Sequence, residues 1–245
     1  MAHLARTLWP SLVALIALLA LPLAGPLARP LGAQEAALPA FDTLIVPGLV
    51  ILHAPSGLLR AQRLAGILSP PPVLPALPVG IPDSVELWLP PDEGSFVQLI
   101  GGAPPEWGAA VAIPGRRAIV LPGFATRRLP PDQLQRVLLH EWAHLGLHSY
   151  LGDVRIPRWF SEGYAEWASG GWNFEEGWRL RVAIALNRAP PLDSLTLDWP
   201  RNRASAEVAY LLSGSAVAYL ARSGGPEGLA LFLRRWRDVG RFEVE

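Results

Sequence analysis

The chain has 245 residues, room for one catalytic domain with a sizeable core or for two small ones, and at 51% hydrophobic and 17% charged it is no disordered tail. Lys+Arg and Asp+Glu balance at 21 each, which argues against a protein that must neutralise many nucleic-acid phosphates. The absence of cysteine excludes disulfides, thiolate zinc sites, a thiol nucleophile and attachment through a lipidated N-terminal cysteine.

Part of the apolar excess lies at the N-terminus. Arg6 precedes an apolar run from about Leu12 to Leu21 and then small residues, the layout of a secretory signal (residues 1–33) cut after Ala33. No charge falls between Arg6 and Arg29, so the alternative is an uncleaved anchor. Pro10, Pro22 and Pro26 shorten its best helix and favour cleavage. Residues 34–245 then form a single domain outside the cytoplasm, secreted, periplasmic or tethered to a membrane.

In chain order, GLVILHAP (48–55) reads as a strand and residues 56–68 as a helix that Ser56 can cap. Six prolines between Pro70 and Pro82 exclude regular helix and predict a stiff, extended surface connection. Residues 85–90 read as a strand. Two apolar runs about a Pro-Gly turn predict a β-hairpin over 109–123. Pro130, Pro131 and Asp132 suit a helix start, and helical patterns follow at about 160–168, 174–188, 203–222 and 226–238. The expectation is an α+β domain: a small N-terminal mixed sheet, a helical C-terminal half, and the helix from Pro131 between them. The closing GRFEVE reads as the start of a further helix, consistent with a frame cut short.

The chemistry concentrates in HEWAHLGLHSY (140–150). On a helix, His140 and His144 lie one turn apart on one face and can share a metal ion. Glu141, rotated about 100° from His140, lies beside that ion, within reach of a bound water whose proton it can take. Unligated histidines in a core helix are the plainer alternative. A catalytic zinc site needs a third protein ligand and an open position. His148 is the nearest candidate, but a regular helix carries it a turn too far. The metzincin spacing H-E-x-x-H-x-x-G-x-x-H sets its glycine and third histidine farther on than Gly146 and His148 stand. Gly146 would have to break the helix to relax the strain.

The better candidate lies in IPRWFSEGYAEWASG (156–170). There Ser161 can cap a helix opened by Glu162, with Glu166 one turn later. Glu162 can supply a carboxylate oxygen to zinc, and Glu166 can accept the free N–H of a ligand histidine and fix its tautomer. A solvated acidic edge is the alternative, and the aromatic neighbours weigh against it.

HEWAH followed by PRWFSEGYAEW resembles the gluzincin metallopeptidases of the thermolysin-like clan, especially the small bacterial proteins called peptidase MA-like. Their pattern is H-E-x-x-H and then W-x-x-E-G-x-A-E, matched here by His140, Glu141, His144, Trp159, Glu162, Gly163, Ala165 and Glu166. The resemblance implies a zincin-like catalytic domain with His140, His144 and Glu162 binding Zn2+, Glu141 as general base and Glu166 behind the ligands. It also implies an oxyanion-stabilising tyrosine or histidine. Tyr210 stands where relatives often read A-Y-x-x-S, with Tyr219 and Tyr164 as reserves. Such enzymes add the peptide substrate to a sheet edge, for which Ala109–Ile113, preceded by Trp107, is the candidate, an inner strand being the alternative. Trp142, Trp159, Trp167, Trp172 and Trp178 either line a cleft or pack beneath the site. The expected activity is peptide-bond hydrolysis. The rival is a catalytically silent binding or assembly protein of the cell envelope, which would have no need of Glu141.

Overall fold

A computed structural model of the chain describes residues 38–102, 110–170, 172–225 and 227–240. The segment read as signal or anchor, Trp107, Ala109 and residues 241–245 lie outside them. The elements are β1 (Asp42–Val46), β2 (Leu49–His53), α1 (Leu58–Leu68), β3 (Val85–Leu89), α2 (Glu93–Ile100), β4 (Val111–Ile113), β5 (Ala118–Val120), α3 (Gly123–Thr126), α4 (Pro131–Leu151), α5 (Arg158–Ala168), α6 (Phe174–Ala185), α7 (Arg203–Ser223) and α8 (Gly228–Val239). This is an α+β arrangement, a mixed sheet followed by helices.

The sheet order is β1-β2-β3-β5-β4. β2, β3 and β5 run parallel, while β1 and β4 lie antiparallel at the two edges. β2 and β3 alternate buried and half-buried residues, the period of a strand with one face on the core. That face sets Leu49, Ile51, Val85 and Leu87 against Leu64 and Leu68 of α1 and Leu138 and Trp142 of α4. Across the sheet, Phe96 and Leu99 of α2 cover Val111 and Val120. The hairpin read at 109–123 is present as β4 and β5, with Ala112 opposite Ile119.

Several expectations change. β1 and α2 were not anticipated. β1 is an edge strand with largely exposed side chains, so its apolar alternation is weak. α2 is short, but its start is capped: Asp92 Oδ1 accepts the Ser95 N–H at 2.8 Å. Ser56 caps nothing, because a single 3₁₀ turn (Pro55–Gly57) precedes α1 and Gly57 takes the N-cap position. Gly146 does not break α4, which runs unbroken through His148 to Leu151.

The proline-rich segment is more than a surface connection. Leu74 and Leu77 are buried, and Leu74 Cδ1 occupies the space where a side chain at Gly146 would stand. The Tyr164 hydroxyl donates to the Pro75 carbonyl at 2.7 Å. One loop therefore grips both α4 and α5.

α5 lies along α7 at contact distance. A Cβ on Gly163 would collide with the Ser213 carbonyl, a backbone atom that cannot swing aside. Gly163→Ala is expected to cost about 2–3 kcal/mol, lowering Tm by about 5–10 °C in calorimetry; an unchanged Tm would refute this tight crossing. α7 is the one described helix long and apolar enough to cross a membrane by length and composition, and it packs here against α5 and α6.

Candidate metal centre

α4 is buried on every side over residues 140–147. The sheet lies on one side of it and α5 on another, so the polar residues of H-E-x-x-H are buried, with 3% of His144 left exposed. α5 brings Glu162 against them. Its early start, at Arg158 and not at Glu162, puts Ser161 inside the helix, so the expected Ser161 cap is not formed.

Among the described residues, one group of three ligand side chains comes together: His140, His144 and Glu162. The two histidine Nε2 atoms are 3.0 Å apart, and Glu162 Oε2 lies 3.6 Å from His140 Nε2 and 3.4 Å from His144 Nε2. Donors about 2.0–2.1 Å from a tetrahedral ion stand roughly 3.3–3.4 Å apart, a spacing that the observed separations bracket. Glu162 Oε2 is buried and has no hydrogen-bond partner. A carboxylate oxygen left so, facing two imidazole nitrogens, fits a cation. The group can hold a metal ion.

Contacts behind the ligands orient them. His144 Nδ1 lies 3.0 Å from Ser161 Oγ. With Nδ1 protonated, it donates to that hydroxyl oxygen and leaves the Nε2 lone pair for a metal. His140 Nδ1 faces Glu166 Oε1 at 3.7 Å, the placement expected for Glu166, although longer than a hydrogen bond. Sequence reasoning missed the Ser161 contact. Ser161→Ala is expected to weaken metal binding about 10–100-fold with little change in Tm, measured by competition with a chromophoric chelator.

Glu141 is wholly buried beside the group. Its Oε2 accepts the Ala112 N–H of β4 at 2.7 Å, and its Oε1 has no hydrogen-bond partner. Burial pushes this carboxyl up to about 8, against the pull of His144, with the negative charge of Glu162 adding to the rise. Burial also opposes ionisation of Glu162, but His144 and His140 outweigh it and hold that carboxyl at about 2. Burial takes His140 down to about 4, while His144 is raised because the carboxylates of Glu162, Glu141 and Glu166 outweigh its burial. Glu166 is pushed up to about 8 by burial and by Glu162.

Of the three tyrosines considered, Tyr210 on α7 stands among the site's charges. Burial raises its pKa, and Glu162, Arg158, Glu166 and Glu141 all act on it. Its ring meets Trp199 edge-on at 5.0 Å. Trp199 also carries the Arg158 guanidinium on its face at 4.7 Å, and Arg158 Nε lies 3.9 Å from Glu162 Oε1. Tyr164 commits its hydroxyl to Pro75, and Tyr219 is 63% exposed. His148 stays outside the group and faces an open cleft lined by Ile81, Asp83, Arg117 and Asp153. Trp142 and Trp159 pack in the core, and Trp178 points to solvent.

No protein-family model matches the chain, and no curated protein matches it.

Proposed function

We propose that this protein is a gluzincin-type zinc metallopeptidase with a zincin-like catalytic domain, acting outside the cytoplasm. The observation that carries the reading is the juxtaposition of a His140–His144–Glu162 ligand group with Glu141, whose carboxylate is held by the Ala112 amide. Two imidazoles and one carboxylate form a donor set that suits zinc and leaves a coordination position open. Bound there, zinc supplies Lewis-acid polarisation of the scissile carbonyl and an acidified attacking water.

The chain's own residues do the rest. Glu141 Oε2 is fixed by Ala112, so Oε1, which has no partner, is the atom that takes the water's proton and returns it to the leaving amine. Tyr210 donates to the carbonyl oxygen as negative charge develops. β4 is the edge strand next to α4. Ala112 turns its N–H away from β5 toward Glu141, so its C=O lies on the same outer edge, where a peptide N–H can pair with it. The N-terminal apolar segment supports export, with cleavage or retention deciding between a secreted enzyme and a tethered one.

Cleavage of casein or a mixed peptide library tests the reading. Hydrolysis should stop on chelation and return with about one zinc per chain. A zinc-loaded protein that cleaves nothing across broad libraries would sink the peptidase reading and leave the silent envelope protein.

A further inference from the structure

β2, β3 and β5 run parallel, so the segments that follow them gather at one end of the sheet. Open α/β sheets take ligands outside that end. Here the first turn of α1, after β2, meets α3, after β5. Arg60 of α1 is half-buried, and its Nη2 donates to Thr126 Oγ1. That hydroxyl in turn donates to the Pro122 carbonyl at 2.7 Å, which leaves its oxygen free to accept from the arginine. Arg60 Nη1 fills the space where a Cβ at Gly123 would stand. The guanidinium is therefore held from two sides, in a place that glycine opens.

A second guanidinium shares that place. Arg127 Nε lies 3.8 Å from the same Cβ position, so it is no more than about 6 Å from Arg60 Nη1. Two like charges so close repel. Burial, and then Arg127, bring the Arg60 guanidinium down to about 10, with no carboxylate acting against them. Among the described residues no acid pairs with either arginine. Asp92, which follows β3, commits Oδ1 to the Ser95 N–H and hydroxyl, and Glu93 and Asp132 make no ion pair. No acid occurs from Thr43 to Pro82; from Gly94 to Pro131 the one acid, Glu106, lies outside the described residues. Exposed Arg63 and Arg128 add to the positive charge. Arg60 Nη1 and the Arg127 guanidinium have no hydrogen-bond partner among the described residues, and neither is sealed from solvent.

We infer that Arg60 and Arg127 form a binding site for a phosphate-type oxyanion, seated over Gly123 and accepting from both guanidinium groups. Charge-assisted N–H···O distances are about 2.7–2.9 Å, so one tetrahedral anion spans nitrogens about 6 Å apart. Planar guanidinium forks suit phosphate oxygens, and a dianion balances two of them. The phosphate is either free or the headgroup of a lipid. The site shares no residue with the metal group and does not depend on the peptidase reading.

Isothermal titration calorimetry of the full chain with inorganic phosphate tests it, at an ionic strength held by chloride. One phosphate per chain is expected, and at ten times Kd it should raise Tm by about 3–6 °C. Arg127→Gln should weaken binding about tenfold or more, the loss of a charge-assisted contact, while Tm without phosphate holds or rises because a like charge is gone. Gly123→Ala keeps every charge but displaces Arg60 Nη1, the end of a flexible side chain, and should weaken binding as much. Phosphate held by a metal ion would survive both substitutions, so unchanged affinity in both overturns the proposal. Loss in Arg127→Gln alone also overturns it, in favour of diffuse surface charge. Glycerophosphoglycerol, the headgroup of phosphatidylglycerol, is the second probe. If it binds where inorganic phosphate does not, with the same response to both variants, the site holds a lipid headgroup; if neither binds, the proposal falls.

Discussion

Glu141→Gln is expected to silence hydrolysis and leave the metal in place. Glutamine keeps the shape of the side chain and can still accept the Ala112 N–H, so β4 and α4 stay together. It cannot take a proton from water. Loss of a positioned general base lowers kcat by about 10²–10⁴-fold, with a smaller change in KM because the base does not bind the ground-state peptide. Burial disfavours the charged form of the native carboxyl, so the uncharged amide is also no worse a tenant of that space. Tm is therefore expected to hold or rise slightly. Zinc content by mass spectrometry and turnover on one fluorogenic peptide decide the matter. A variant that keeps more than about a tenth of wild-type kcat would remove Glu141 from the chemistry.

Glu162→Ala is expected to empty the metal site. The alanine leaves two buried imidazoles facing each other at 3.0 Å, with no carboxylate ligand between them to balance a divalent charge. Removing a supporting contact costs about 10–100-fold in metal affinity, and removing a ligand should cost more, so zinc at micromolar supply falls well below one per chain. The variant also frees Arg158, whose Nε and Nη2 are buried without hydrogen-bond partners and whose nearby anion is Glu162. Some loss of Tm is therefore expected beyond the loss of metal, and the comparison belongs with a metal-free wild type. His148→Ala is the control, because His148 faces the neighbouring cleft and should leave zinc content untouched. Full zinc occupancy in Glu162→Ala would overturn the ligand set.

Local rules made the ligand group legible. His140 and His144 are a turn apart on one helix, and Glu162 and Glu166 repeat that spacing on the next, so side-chain type and helical period already said which residues could converge. The order of sheet and helices followed from the change of apolar period near Pro131. What escaped was carried by backbone or by distant segments. The Ala112 amide that holds Glu141 is 29 positions away and has no side-chain signature. Ser161 looked like a cap because serine before an acidic helix usually is one, but α5 begins a turn earlier and lends that hydroxyl to His144. Gly146 was considered only as the break that a His148 ligand would need, and tertiary packing gave it another use, since it admits Leu74. The proline count rightly excluded a helix over 70–82 but was silent on the leucines between the prolines, which turn inward.

That loop has a consequence for how the site is loaded. Leu74 is wedged against α4 and the Pro75 carbonyl is bound by Tyr164 of α5, so the two helices that carry the ligands are splinted together by the chain itself. α5 is also held from its other side, where Gly163 packs against the Ser213 carbonyl of α7. A metal entering such a site spends little of its binding energy on ordering protein. In small zinc domains, binding energy and folding energy are the same quantity, and chelation unravels the chain. Here stripping should leave an intact empty cage that refills on demand, so the supply of metal, and not refolding, sets how quickly the site is filled.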